Sequence, residues 1–276
     1  MGIKKNGGKI IITLNAYRNA KFYKSFFIKY LTNRFQCVDN WIFSSYYSFL
    51  DFKKIGFRGN FSIIPLGLES ISNIGLADEF KDILNNKIEK YTDKKNYIFY
   101  TAQFLSHKRH TKLLHNISMV LKEDQNRILI LCGDGPLMKE TLALAEQLDI
   151  RSQVKFLGRI DRNSFLSHLK WAKVAVVMSK TETFGHNILE PMMLNIPVVS
   201  TIVGIAPEII KDGENGFLFD MSNPSKFRKA LSFFCEKEQT CKPNEQLLKD
   251  FSWEKVVDRY CLAYQDCFDE ELPKIL

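Results

Sequence analysis

The sequence predicts an α/β protein built around a doubly wound, parallel sheet. Two observations predict it. From Tyr97 onward, short β-branched or aromatic runs alternate with longer amphipathic ones, the pattern of parallel strands joined by crossover helices. Each apolar run also stops at a polar or glycine-bearing loop before the next helical pattern begins. With 276 residues and 45% hydrophobic content, the chain can bury a substantial core.

The elements follow in order. NYIFYTAQ reads as a strand, TKLLHNISMVLKED as a helix, RILILCG as a strand, and GPLMKETLALAEQLDI as a helix opened by Pro136. QVKFLGRI is a strand, RNSFLSHLKWA a helix and KVAVVMS a strand. A helix starting near Gly185, the strand PVVST, a short APEII helix, the turn KDGENG, the segment FLF and the helix PSKFRKALSFFCEKE complete this part. The first 68 residues use the same alphabet: GKIIITLN, the basic aromatic segment KFYKSFFIKYLTNRF, the strand CVDNWIFSS, the helix YSFLDFKKIGF and the strand NFSIIPLG. The expected organisation is a partial first domain over 1–68, a connector over 69–95, a ligand-binding domain over 96–250, and a closing helix and tail over 251–276.

Composition narrows the chemistry. Lys and Arg number 39 against 31 Asp and Glu, a formal charge of +8 that favours anionic partners. The six cysteines form no CxxC pair, and Cys132 sits inside ILILCG, so neither a zinc site nor a disulfide framework is indicated and a reducing cytosol is expected. No apolar span reaches the roughly 20 residues of a membrane helix, and MGIKKNGGKIIITLN has too short an apolar run for a signal peptide. With no RNP-like motif, zinc finger or helix-turn-helix, nucleic acid is not an expected partner.

The stretch TETFGHNILEPMM sets Glu182 and Glu190 on either side of a helix start, at the carboxyl edge of the sheet where open α/β folds bind ligands. The first-turn amides of His186, Asn187 and Ile188 are candidate anion donors, and Gly185 lets the backbone come close. Glu190, roughly one and a half turns into the helix, is expected as an exposed carboxylate able to accept from a vicinal diol such as ribose. A phosphate flanked by two sugars is a nucleotide-sugar. Spacing alone leaves a second reading open, in which both glutamates are solvated charges and Phe184 is a core residue.

The run from Lys180 to Asp220 resembles the nucleotide-sugar site of retaining glycosyltransferases of the GT-B fold, known as group 1 or family 4. The resemblance continues through ILILCGDGPLMKETLALAEQLDI, VKFLGRI and YTAQFLSHK upstream, and FSWEKVVDRY downstream. It implies two Rossmann-like domains, here a complete C-terminal one and an incomplete N-terminal one. It assigns catalysis to Glu182 and Lys108, and donor contacts to Gln103, Lys108, Phe184, Gly185, His186, Asn187 and Glu190. The diphosphate would meet backbone amides of Gly185, His186 and Asn187, with Lys108 neutralising the leaving group and no metal required. The expected partners are a nucleotide-sugar donor and a glycan or lipid-linked acceptor, with possible peripheral contact at the inner face of the cytoplasmic membrane.

Departures from the pattern are Gln103 where the family has arginine, with Arg109 or His107 as substitute cations, Ile205 where a glycine follows Gly204, and His186 at a more often apolar position. The acceptor half of the family's site, with its glycine-rich loop and histidine, is expected to be missing, so that the chain is either truncated or completed by another polypeptide. GDGP, residues 133–136, is expected to be structural rather than a phosphate loop, and His110, His115 and His168 structural or solvent-facing. KFYKSFFIKYLTNRF is expected to be a core-facing helix with snorkelling lysines, the alternative being a surface for acidic lipid headgroups.

Overall fold

The computed structural model describes residues 8–14, 38–54, 56–68, 97–236 and 245–268. The KFYKSFFIKYLTNRF segment and the 69–95 connector lie outside the described residues. In chain order the elements are β1 (Ile11–Leu14), β2 (Asn40–Phe43), α1 (Tyr46–Lys54), β3 (Phe61–Ile63), β4 (Tyr97–Thr101), α2 (His110–Glu123), β5 (Ile128–Cys132) and α3 (Met138–Gln147). They continue with β6 (Val154–Gly158), α4 (Arg162–Lys170), β7 (Val174–Val177), α5 (His186–Met193), β8 (Val198–Thr201), α6 (Ala206–Ile209), β9 (Gly216–Phe219), α7 (Pro224–Glu236), α8 (Glu245–Asp250) and α9 (Trp253–Phe268). The chain forms two units. One comprises Met1–Glu69, Glu182–Phe184 and Glu245–Leu276, the other Ser70–Thr181 and Gly185–Asn244.

The first unit holds a parallel sheet in the order β1-β2-β3. Side chains alternate along β2. Trp41 and Phe43 join Phe49 of α1 and Phe57 in one cluster, with the Phe43 ring edge-on to Phe49 and Phe57 at 5.6 and 5.4 Å between centroids. Ile42 faces the other way, against Ile64 and against Val256 and Ala263 of α9. Thus α9, which the sequence suggests only as a closing helix, supplies two of the four buried residues of this second cluster. The same unit takes in Glu182–Phe184: the buried Ser45 hydroxyl donates to the Thr183 carbonyl at 2.6 Å, and that of Ser44 does so at 3.3 Å.

The second unit is a six-stranded parallel sheet in the order β6-β5-β4-β7-β8-β9. Strands β7 and β8 are buried at every position and β4 and β5 nearly so, which is why they read as continuous apolar runs rather than alternating ones. The helix α2 packs against α3 and α7, and α5 packs on β7 and β8. A core of Ile98, Tyr100, Leu113, Leu129, Val176, Phe219 and Phe227 runs through the layers between sheet and helices. Gly185, the first signal of α5 in the sequence, adopts φ 101°, a left-handed value that suits glycine. Pro136 does not open α3. It stands in the turn before Leu137, and the helix starts at Met138.

The GDGP segment is structural in a specific sense. Gly133 and Gly135 have φ of 135° and 155°, and both lie against the loop that follows β4. Asp134 accepts from the Phe104 amide at 2.9 Å, and the Leu137 amide donates back to the Phe104 carbonyl at 3.1 Å. A Cβ on Gly135 would stand 2.8 Å from both the Phe104 nitrogen and oxygen, so backbone would have to move. At Gly158, φ 68°, an added Cβ meets nothing within 4 Å. We therefore expect Gly135→Ala to cost on the order of 2–3 kcal/mol, and Gly158→Ala only the left-handed penalty of about 1 kcal/mol. Urea melts of the two variants check this; equal losses would show that close packing of GDGP contributes nothing.

Candidate functional site

In the second unit, strand order reverses between β4 and β7. Crossovers on the two sides of such a point leave to opposite faces, opening a crevice beyond the strand ends where doubly wound sheets take ligands. The segment carrying Gln103 and Lys108 follows β4, and the chain after β7 leads to α5. The sequence-predicted residues Gln103, Lys108, Gly185, His186, Asn187 and Glu190 therefore all lie on segments that leave this sheet edge.

The β4 loop is fixed along its length. The Ala102 amide donates to Cys132, the Phe104 amide to Asp134, and the Lys108 amide to Leu105 at 2.9 Å. The Tyr100 hydroxyl donates to the Lys108 carbonyl, and the Lys180 amide, just past β7, donates to the His107 carbonyl at 2.7 Å. Gln103 is exposed and Lys108 half-buried on this frame. Arg109 sits in left-handed backbone at φ 59° and lies near Asp220, whose carboxyl is held below its usual range by hydrogen bonds from Ser222 and by that guanidinium.

Gly185 leads into α5, with His186 exposed and Asn187 half-buried at the helix start. The Asn187 side-chain amide reaches the Thr101 carbonyl at 3.5 Å, tying the helix start to the end of β4. One expected donor is spent otherwise: the Ile188 amide bonds the Gly185 carbonyl at 2.9 Å. Phe184 is 1% exposed and packs against Phe251 in the first unit, so its side chain is a packing anchor. Ile205 is also buried, and its side chain presents no open surface to a ligand.

Glu190 departs from expectation. It is buried at 9% exposure, not an exposed carboxylate, because residues 188–193 of α5 all turn into the protein. Burial pushes its carboxyl up from the ordinary value, and the Arg162 guanidinium, in an ion pair with Oε1, opposes that. Arg162, Tyr100 and Ser45 were not found by sequence reasoning. Arg162 and Glu190 are 28 residues apart, and neither carries a local signal of the pairing.

His110 opens α2 as a buried imidazole stacked on Phe104 at 3.9 Å between centroids and 4.9 Å from Tyr100. Both ring nitrogens are buried, and the polar group facing them is the Ala102 backbone. Burial, and then the charge of Lys108, push its pKa down to about 4.

Comparison with known proteins agrees with this architecture. The fold is of the GT-B type, as in the solved glycosyltransferase structures that it matches. The family model "Glycosyl transferases group 1" matches residues 81–248, and the chain belongs to that family. It is 25% identical over 185 residues to the N-acetyl-alpha-D-glucosaminyl L-malate synthase of Bacillus anthracis, covering 65% of this chain and 48% of the relative. It is 29% identical over 186 residues to the D-rhamnosyltransferase WbpZ of Pseudomonas aeruginosa, covering 66% and 46%. The chain thus spans about half the length of these curated relatives. Among solved structures, Anabaena Alr3699/HepE in complex with UDP superposes with a TM-score of 0.80 at 18% identity, covering 95% of this chain and 74% of that one.

The state of His110 has a consequence for stability. Its pKa is about 4 when folded against 6.5 ordinarily, so between these values the unfolded chain binds more protons. Stability should fall as pH drops from about 6.5 toward 4, with a slope of up to about 1.4 kcal/mol per pH unit from this one proton. His168, also lowered by burial, adds to the fall in the same direction. Denaturant midpoints of wild type and His110→Phe across this range test it; an unchanged slope in the variant would show that His110 is not the titrating group.

Proposed function

We propose that this chain is the donor-binding and catalytic part of a glycosyltransferase that transfers a sugar, with retention, from a nucleotide-sugar to a glycan or lipid-linked acceptor. The observation that carries the reading is the topological switch point of the second unit, with a lysine-bearing loop, a glycine-entered helix start and a buried carboxylate on the segments that leave it. In this reading the diphosphate meets the start of α5 and the Lys108 ammonium, and Glu190 accepts from the ribose. Glu182 is assigned to the donor sugar's hydroxyls by the family resemblance.

The bond from the anomeric carbon to the diphosphate breaks and one to the acceptor oxygen forms, the acceptor's proton passing to the released diphosphate. Lys108 and the helix dipole stabilise the charge that develops on the leaving group, so the scheme calls on no metal. The reading includes work in surface polysaccharide assembly, which the name of one similar solved structure, a lipopolysaccharide outer core galactosyltransferase, supports; a cytoplasmic location with contact at the membrane face is a further part of the proposal. No helix among the described residues is long and apolar enough to cross a membrane.

One second reading rests on Gln103, which stands where the family carries an arginine: there the chain binds a nucleotide-sugar without transferring its sugar.

A thermal-shift screen against UDP-, GDP-, ADP- and CMP-sugars tests both, since a ligand at 100 times its Kd adds about 2.7 kcal/mol. One nucleotide is expected to stabilise the wild type, and Glu182→Ala to retain that binding while losing sugar transfer. Binding without transfer in the wild type would support the second reading, and no binding would remove both. Gln103→Arg should tighten nucleoside diphosphate binding by several-fold through an added charge-assisted pair, read by calorimetry. Unchanged or weaker binding would place position 103 away from the phosphates.

A further inference from the structure

We propose that Arg162 is a positioning residue that sets the Glu190 carboxylate for recognition of a ribose diol. The inference rests on the donor-site reading above and extends it to a residue outside the motif. Three observations converge on Arg162.

First, its place is fixed from below. Asp161 caps α4, its carboxylate accepting from the Ser164 amide at 3.0 Å and from the Ser164 hydroxyl at 2.6 Å. Arg162 is the first residue of that helix. Its guanidinium lies 5.5 Å from the centroid of the Phe165 ring, which in turn packs at 5.8 Å on Phe99 of β4. The side chain is held against a ring that itself packs on the strand bordering the switch point.

Second, it alone answers the buried charge. Strands β7 and β8, on which α5 packs, carry no titratable residue, and the other such group on α5 is His186 at the exposed helix start. Among the described residues, Arg162 is the one charged side chain in contact with Glu190. A carboxylate this buried favours its protonated form unless a cation offsets the lost solvation. A protonated carboxyl would offer a diol one acceptor fewer.

Third, the pair is asymmetric. Glu190 is 11% exposed along its side chain and Arg162 42%. Arg162 bonds Oε1, so the recorded ion pair leaves Oε2 to a ligand hydroxyl. The guanidinium therefore orients the carboxylate and opposes the effect of its burial without occupying both oxygens.

The test is ribose discrimination. Binding of UDP, GDP and ADP and of their 2′-deoxy forms is measured by calorimetry on the full chain, alone and with substitutions. Arg162→Met keeps an apolar stem over Phe165 without the charge, and Arg162→Lys keeps the charge. For whichever diphosphate binds, wild type should prefer the ribose form by roughly tenfold, the scale of one hydrogen bond to a charged group. Arg162→Met and Glu190→Gln should each bring the ratio near one while changing 2′-deoxy binding little, and Arg162→Lys should keep most of it. An Arg162→Met ratio equal to wild type, or an equal loss for ribose and deoxyribose forms, overturns the proposal while leaving the donor site intact. If Arg162→Met does not fold, Arg162→Gln carries the same two outcomes. If wild type binds no diphosphate, the donor-site reading fails and this inference falls with it; if it binds both forms alike, the donor site stands and this inference is overturned.

Discussion

Parallel strands can be joined only by crossovers, and those crossovers are almost always right-handed. Where strand order reverses, successive crossovers must therefore leave to opposite faces of the sheet. In the second unit that happens between β4 and β7, and the other features of the candidate site serve this divergence. The chain leaving β4 is long and would be loose if only its ends were fixed. It is held from one side by the GDGP turn, which glycine alone allows to lie so close, and from the other by the Tyr100 hydroxyl and the Lys180 amide.

The second unit also buries ionisable groups in a medium that resists charge. Glu190, His110 and Arg127 are all buried in this unit, and each is treated differently. Arg127 has carbonyl and carboxylate partners at the end of α2. His110 is kept neutral and used as a flat apolar surface against Phe104. Glu190 is compensated by a cation reaching in from another helix. An uncompensated buried charge costs several kcal/mol, and of these three arrangements the pair with Arg162 is the one that favours a carboxylate.

Much of the fold is legible because burial on both faces turns strands into apolar runs. IFYT, ILILC, VAVV and VVST could be read directly, and Gly185 marked the start of α5 because a left-handed helix entry suits glycine. Proline at 136 misled by two residues, since the turn it belongs to is set by the docking of GDGP onto Phe104. The short helix α8 went unread, six residues being too few for periodicity to show. At the site, spacing pointed to Glu190 and the family resemblance to Lys108, but neither said anything of Arg162 or of Glu190's burial. Those depend on how α4 and α5 pack, and pairing across 28 residues leaves no trace in local pattern.

The placing of α9 bears on how the molecule is made. Val256 and Ala263 cover Ile42 and Ile64, yet they leave the ribosome after every residue of the second unit has been synthesised. Domains fold as units while the chain grows, at roughly 5–20 residues per second. The strands made first thus acquire their second face last, and the order of synthesis is the reverse of the order of completion. During that interval one side of β2 is an apolar surface without its cover, the kind of surface that chaperones hold.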